Sequence, residues 1–219
     1  MQNQPNPQGK NMNQQQMPPN MNMNKAGAQT TNTNHGGHEL FDAHEVIAGI
    51  ITMLDQYQMY EQHIQDPALK DILTRQTTFV TQVYNTIVES FRTGQKPSVS
   101  TQVYKMTQTH DVVYGITPSQ PKKPNQSVNE LADKGLSAYM LGQTKGLATL
   151  LSMTALEMTN PVLRRVIADS VPNFIEMSYE IFLYQNKHGY YQVPQLAMQD
   201  MNAMLQSYTT VPNQGNMPH

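Results

Sequence analysis

"HIQDPALKDIL", from His63 to Leu73, returns in altered spelling as "EMTNPVLRRVI", from Glu157 to Ile167. In both, a small polar residue precedes a proline, a leucine follows two positions on, and a basic residue and a β-branched aliphatic come after. Asp66 and Asn160 offer side-chain oxygens to the free N–H groups of a helix start. Pro67 and Pro161 take the first helical position, where a missing N–H is no loss. The phrase marks a helix start, and its recurrence marks two helices of one design.

Upstream of Asp66, Leu40, His44, Ile47, Ile51 and Leu54, flanked by Ile50, Tyr57 and Ile64, recur at helical spacing and predict a first long helix from His38. Downstream, Leu69, Ile72, Leu73, Gln76, Val80, Val83 and Ile87 predict a second, with Phe79, Tyr84 and Phe91 beside them. Arg92, Gly94 and Pro97 end it. So short a turn makes the two helices antiparallel neighbours.

The second phrase repeats the construction. "SVNE", Ser127 to Glu130, reads as a capping box that opens a third helix through Leu131, Leu136, Tyr139, Met140, Leu147, Leu150, Leu151 and Met153. A fourth starts at Pro161, carries Leu163, Val166, Ile167, Phe174, Met177 and Ile181, and stops at Lys187 and Gly189. The helices that follow the two prolines match in length, on the order of 40 Å at about 1.5 Å per residue.

Two repeated hairpins, 38–94 and 127–189, joined by a crossover over 95–126, predict an all-α, ferritin-like four-helix bundle, with a simple up-down bundle as the alternative. "TPSQPKKPN" is too proline-rich to be helical, but "STQVYKMTQTHDVVYG" before it predicts a short helix lying across the bundle. Pro172 predicts a kink near Ala168. Gly135, Ala138, Gly142, Gly146 and Ala148 in the third helix predict the close approach of a neighbouring helix.

The bundle domain is expected over 38–196. Residues 1–37 form an Asn-, Gln-, Met- and Pro-rich leader, which cannot bury enough apolar area to offset its ordering entropy and is expected to be disordered. Such a leader is either a solubilising tail or one that associates through side-chain amides. Residues 197–219 read as a weakly ordered tail, with the Met-rich "LAMQDMNAMLQ" suited to adaptable contacts.

The chain's 219 residues, 38% of them hydrophobic, suffice for one core. A formal net charge of −2 with no basic stripe argues against nucleic acid as partner. The absence of cysteine excludes disulfides and thiolate chemistry. No apolar stretch approaches the roughly 20 residues of a membrane span, and no signal peptide is evident.

A di-iron or di-manganese centre in such a bundle needs bridging carboxylates and a histidine three residues after a glutamate. Glu89, Glu176 and Glu180 are followed at that position by Arg92, Tyr179 and Leu183. Glu61, expected on or near the buried stripe of the first helix, and Glu157 lie near the hairpin turns, at other levels than Glu89 and Glu180. His35, His38 and His44 cluster around the first helix start, but at spacings unsuited to one face. No catalytic, cofactor-binding or metal-ligating residue is expected.

After the fourth helix comes "NKHGYYQVPQ". Tyr190 and Tyr191 must cover something apolar, either as a strap on the end of the bundle or as a docking or cross-linking surface. With this motif, the "DPALKDIL" and "NPVLRRVI" hairpins and the leader, the chain resembles the spore coat protein F family of endospore-forming bacteria over roughly His38 to Leu196. The resemblance implies a ferritin-like helical domain and a non-enzymatic, spore-associated role. On that reading the protein is made in the cytoplasm of the mother cell or forespore, and it assembles with itself and with other coat proteins. Its Lys, Gln and Tyr side chains would suit the isopeptide and dityrosine links of spore coats. The competing readings are a ferritin-like di-metal oxidase or peroxide scavenger, and a small regulatory module that binds through its 94–127 connection.

Overall fold

A computed structural model describes residues 35–211. Four long helices, α1 (Gly37–Glu61), α2 (Pro67–Thr93), α3 (Asp133–Glu157) and α4 (Pro161–Lys187), are followed by a short α5 (Met198–Leu205). Val128–Glu130 forms one 3₁₀ turn. No β-strand is present among the described residues, apart from isolated bridges between Tyr114–Gly115 and Val193. No described helix is long and apolar enough to cross a membrane.

The helix starts read from the two phrases are present in atomic detail. Asp66 accepts from the Ala68 N–H at 2.8 Å, Asn160 accepts from Val162 and Leu163 at 2.9 Å, and each is followed by its proline. Gly94 and Gly189 take φ of 64° and 68°, the left-handed conformation that a side chain would strain. α2 and α4 each run 27 residues, and α4 stays one helix through Pro172.

α1 packs on α2 and α3, and α4 packs on the same two. Contacts fix the directions. Tyr57, late in α1, hydrogen-bonds Gln76, early in α2. Gln76 in turn reaches the Met177 carbonyl late in α4, while Asn160 at the start of α4 bonds the Gly94 carbonyl at the end of α2. Gln185 bonds Ser137, late in α4 against early in α3. Each helix is therefore antiparallel to both its neighbours. The core between them includes fully buried Ile50, Met53, Tyr57, Leu69, Ile72, Ile87, Leu136, Met140, Leu151, Leu163, Phe174 and Tyr184, each contributing roughly 1.5–3 kcal/mol on burial.

Four expectations are corrected. The buried face of α1 is Glu39, Ala43, Val46, Ile50, Met53 and Tyr57, one position round from the expected stripe, and Leu40 and Ile51 are exposed. Adjacent Ile50 and Ile51 make α1 apolar on more than one side, so periodicity alone leaves its rotation open. The 95–126 connection holds no helix before Val128, because its polar backbone groups are taken by side chains of α4 rather than by its own turns. "SVNE" forms the 3₁₀ turn with no bond from the Ser127 side chain, and α3 begins three residues later, at Asp133. The glycines of α3 do not receive a neighbouring helix: among the described residues, nothing beyond the helix's own turn lies within 4 Å of a Cβ added at Gly135, Gly142 or Gly146. The tight approach is at Gly49 of α1, where an added Cβ would lie 3.0 Å from Leu147.

Candidate functional site

The "GYYQVPQ" segment is built onto the end of α4. With Gly189 turning the chain, the N–H groups of Tyr190 and Tyr191 return to the Gln185 carbonyl at 2.8 and 3.2 Å. Tyr190 is half-buried, stacked on His188 with ring centroids 5.5 Å apart and edge-on to Tyr184. Tyr184 donates to Asp66 at 2.8 Å, and His188 Nε2 lies 3.3 Å from the same carboxylate. Burial raises the Tyr184 pKa, and its bond to the Asp66 carboxylate raises it further. Burial also pushes the Asp66 carboxyl up, but the Ala68 N–H, the Tyr184 hydroxyl and the nearby His188 outweigh it and hold it below its ordinary value. Tyr191 is more exposed, edge-on to Phe182 with the Lys145 ammonium 5.5 Å from its ring centroid.

The rest of the motif grips the crossover. Gln192 accepts from the Thr117 N–H at 2.6 Å and donates to its carbonyl, and the Val193 carbonyl accepts from Gly115 N–H. Further down α4, Asn186 bonds both backbone groups of Val113, and Asn173 accepts from Tyr104 N–H and donates to the Gln102 carbonyl. These side chains act as pegs along one helix. They carry an extended chain from the end of α2 to the start of α3, at opposite ends of the helix array.

Glu180 is the central peg. Its carboxylate, fully buried, accepts from Arg75 Nη2 at 2.8 Å, Tyr104 Oη at 2.5 Å and Thr107 N–H at 3.0 Å. Arg75 also bonds the Tyr104 hydroxyl and Asp71. Partial burial lowers the Arg75 pKa, but Glu180 and Asp71 raise it more, so the guanidinium stays charged. Burial, then the Glu180 carboxylate, push the Tyr104 phenol up, so it stays a protonated donor. Both Glu180 oxygens are thus engaged inside the protein.

A second buried carboxylate, Glu39, was not singled out by spacing because a first-turn glutamate looks like any helix-dipole partner. It accepts from the Thr159 hydroxyl, from the N–H groups of Thr159 and Asn160, each at 3.0 Å, and from Gly36 N–H. His35 Nδ1 lies 2.8 Å from Glu39, and His35 Nε2 lies 2.8 Å from the Phe91 carbonyl. Burial raises the Glu39 pKa, but the bonds from Thr159, His35, Asn160 and Gly36 prevail and hold it below 4.5. His35 is therefore separated in role from exposed His38 and His44, the latter edge-on to Phe91.

The remaining candidates do not meet. Glu61 is exposed rather than on the buried stripe, Glu157 is exposed, and Glu176 is half-buried. Glu89 accepts from the Ser98 N–H and hydroxyl at the head of the crossover. No group of three or more His, Asp or Glu is placed to hold a metal ion among the described residues.

Four long helices with a pegged extended crossover and an aromatic closing segment define a helical coat-type domain: residues 132–194, α3 through "GYYQVP", match the Coat F domain family. The chain is 51% identical over 183 residues to the spore coat protein F-like protein YhcQ of Bacillus subtilis strain 168, covering 84% of this chain and 83% of that protein. It belongs to the family of spore coat protein F-like proteins. No solved structure matches.

Proposed function

We infer that the protein is a non-enzymatic building block of the endospore coat, a ferritin-like four-helix bundle made of two copies of one hairpin, which assembles with itself and with other coat proteins. The kinship with the spore coat protein F-like family carries this reading. The fold supports it in two ways. The paired cap-and-proline starts, the equal lengths of α2 and α4 and an end-to-end crossover are what a duplicated hairpin would leave. The two buried carboxylates are consumed internally, Glu180 by a guanidinium, a phenol and a backbone N–H, and Glu39 by an imidazole, a hydroxyl and backbone N–H groups. Both read as braces rather than ligands.

A di-metal oxidase would have to break these braces to free its ligands. Of the two motif tyrosines, Tyr191 has the more exposed ring, available for docking or coupling, while Tyr190 packs on the core.

The test pairs a fluorescent fusion in sporulating cells with metal analysis and light scattering of the untagged protein. The expected result is a fluorescent shell on the spore and a metal-free oligomer. Two equivalents of iron or manganese per chain, with peroxide turnover, would overturn it.

A further inference from the structure

A groove of about 600 Å³ runs along the outer face of α3, between that helix, the end of the crossover and the closing tyrosines. Lys134 and Lys145 stand at its two ends on one face of α3, three helical turns and about 16 Å apart at about 1.5 Å per residue. Between them the floor is made of Gly135, Ala138 and Gly142. Lys122 and Lys123 of the crossover line it too, and Tyr139, Tyr190 and Tyr191 supply aromatic rings.

Two further observations give the groove a direction. Four lysines face it in a chain that holds only 14 Lys and Arg and is net negative. None of the four is ion-paired with a described carboxylate, and the one carboxylate lining the groove is Glu130. Glycine inside a helix is destabilising relative to alanine, yet among the described residues nothing beyond the helix's own turn lies within 4 Å of a Cβ added at Gly135 or Gly142. The described packing leaves this face of α3 open to the close approach of an outside backbone.

We propose that this groove docks an extended, acidic segment of a partner protein, about five residues long with a carboxylate toward each end. An extended chain advances about 3.3 Å per residue and returns its side chains to one face every second residue, so the first and fifth residues lie about 13 Å apart on the same face, within reach of the long Lys134 and Lys145 side chains. The glycine floor lets its backbone lie close, Tyr139 flanks its middle residues, and Tyr191 stands beside Lys145 at one end. The flanks 1–34 and 206–219 contain no Asp or Glu, so they do not supply the occupant. The proposal rests on the reading of the chain as an assembling component and names the chemistry of what it assembles with.

Fluorescence anisotropy of the full chain with the labelled pentapeptide DGSFD and its neutral counterpart NGSFN tests it. The acidic peptide is expected to bind at least tenfold tighter, with an affinity that falls as salt rises. Lys134→Glu with Lys145→Glu should weaken it at least tenfold. Gly142→Leu should abolish binding without lowering the melting temperature, and Gly146→Ala, outside the groove, should leave binding unchanged. Equal binding of the two peptides, no binding by either, or indifference to the charge reversals would overturn the proposal. Full competition by millimolar inorganic phosphate would overturn it in favour of a simple anion site. A chain that ignores both peptides yet still reaches the coat removes the groove and leaves the coat reading standing. A chain that binds the acidic peptide but never reaches the coat does the reverse.

Discussion

The two hairpin turns are held by the same device, built to different strengths. At the α1–α2 turn, Asp133 from the first turn of α3 accepts from the N–H groups of Gln65 and Asp66 at 3.0 and 3.1 Å. At the α3–α4 turn, Glu39 from the first turn of α1 accepts from the N–H groups of Thr159 and Asn160. In each hairpin, then, the first helix sends a carboxylate to the residue that caps the second helix of the other hairpin and to the residue before it. Asp133 is half-exposed and makes only these two bonds among the described residues. Glu39 is fully buried and adds His35, Gly36 and the Thr159 hydroxyl. The two braces share a topology, and the one at the α3–α4 turn has more partners and ties down the entry to α1.

Removing the elaborated brace should cost most. Glu39→Ala leaves a buried imidazole and several N–H donors without their acceptor, and it is expected to lower stability by about 3–5 kcal/mol, read from urea denaturation. The comparison breaks if Asp133→Ala costs as much.

Acid sharpens the same contrast. The Glu39 carboxyl is held below its ordinary value of 4.5 in the folded protein, so its contribution is complete above pH 4.5 and is lost as pH falls through the lower folded value. Asp66, also depressed, from 3.8, adds to the loss at still lower pH. Thermal melts from pH 7 to pH 3 should show a falling acid limb. Glu39→Gln should be less stable at pH 7 but markedly flatter across that limb, and an unchanged slope would remove Glu39 as its source.

The helix caps test whether the two starts are equivalent. Asn160 caps two N–H groups and also bonds the Gly94 carbonyl, whereas Asp66 caps one and takes the Tyr184 hydroxyl. Alanine at either position should cost about 1–2 kcal/mol, measured by urea denaturation. Asn160→Ala belongs at the upper end because it also leaves a buried carbonyl unpaired.

What could be read beforehand follows from how far each determinant reaches. The starts at Pro67 and Pro161 and the stops at Gly94 and Gly189 are settled by residues within one turn of the boundary, and they stand where spacing put them. The core positions of α2 and α4 were legible for the same reason. The start of α3 was not, because the group that Asp133 serves lies 67 residues away, at Asp66. The extended crossover was hidden for a related reason: Asn173, Glu180 and Asn186 read as ordinary helix residues until the fold sets Tyr104, Thr107 and Val113 against them. Of the candidate site, the tyrosine pair was visible in "GYYQVPQ", but which ring packs on the core and which stays exposed was not. The partnership of Glu39 with a turn 120 residues away was not.

Asp133→Ala is the smallest expected effect and the most direct probe of duplication. Its two bonds are to backbone N–H groups at a partly solvated turn, where water replaces the lost acceptor, so the cost should be about 1 kcal/mol. If the two braces are versions of one device, Asp133→Ala and Glu39→Ala should be additive in urea denaturation, since they sit at opposite ends of the helices and share no partner. Strong coupling between them would mean that the hairpins do not stand as separate units, and that the crossover pegged along α4 transmits the loss from one turn to the other.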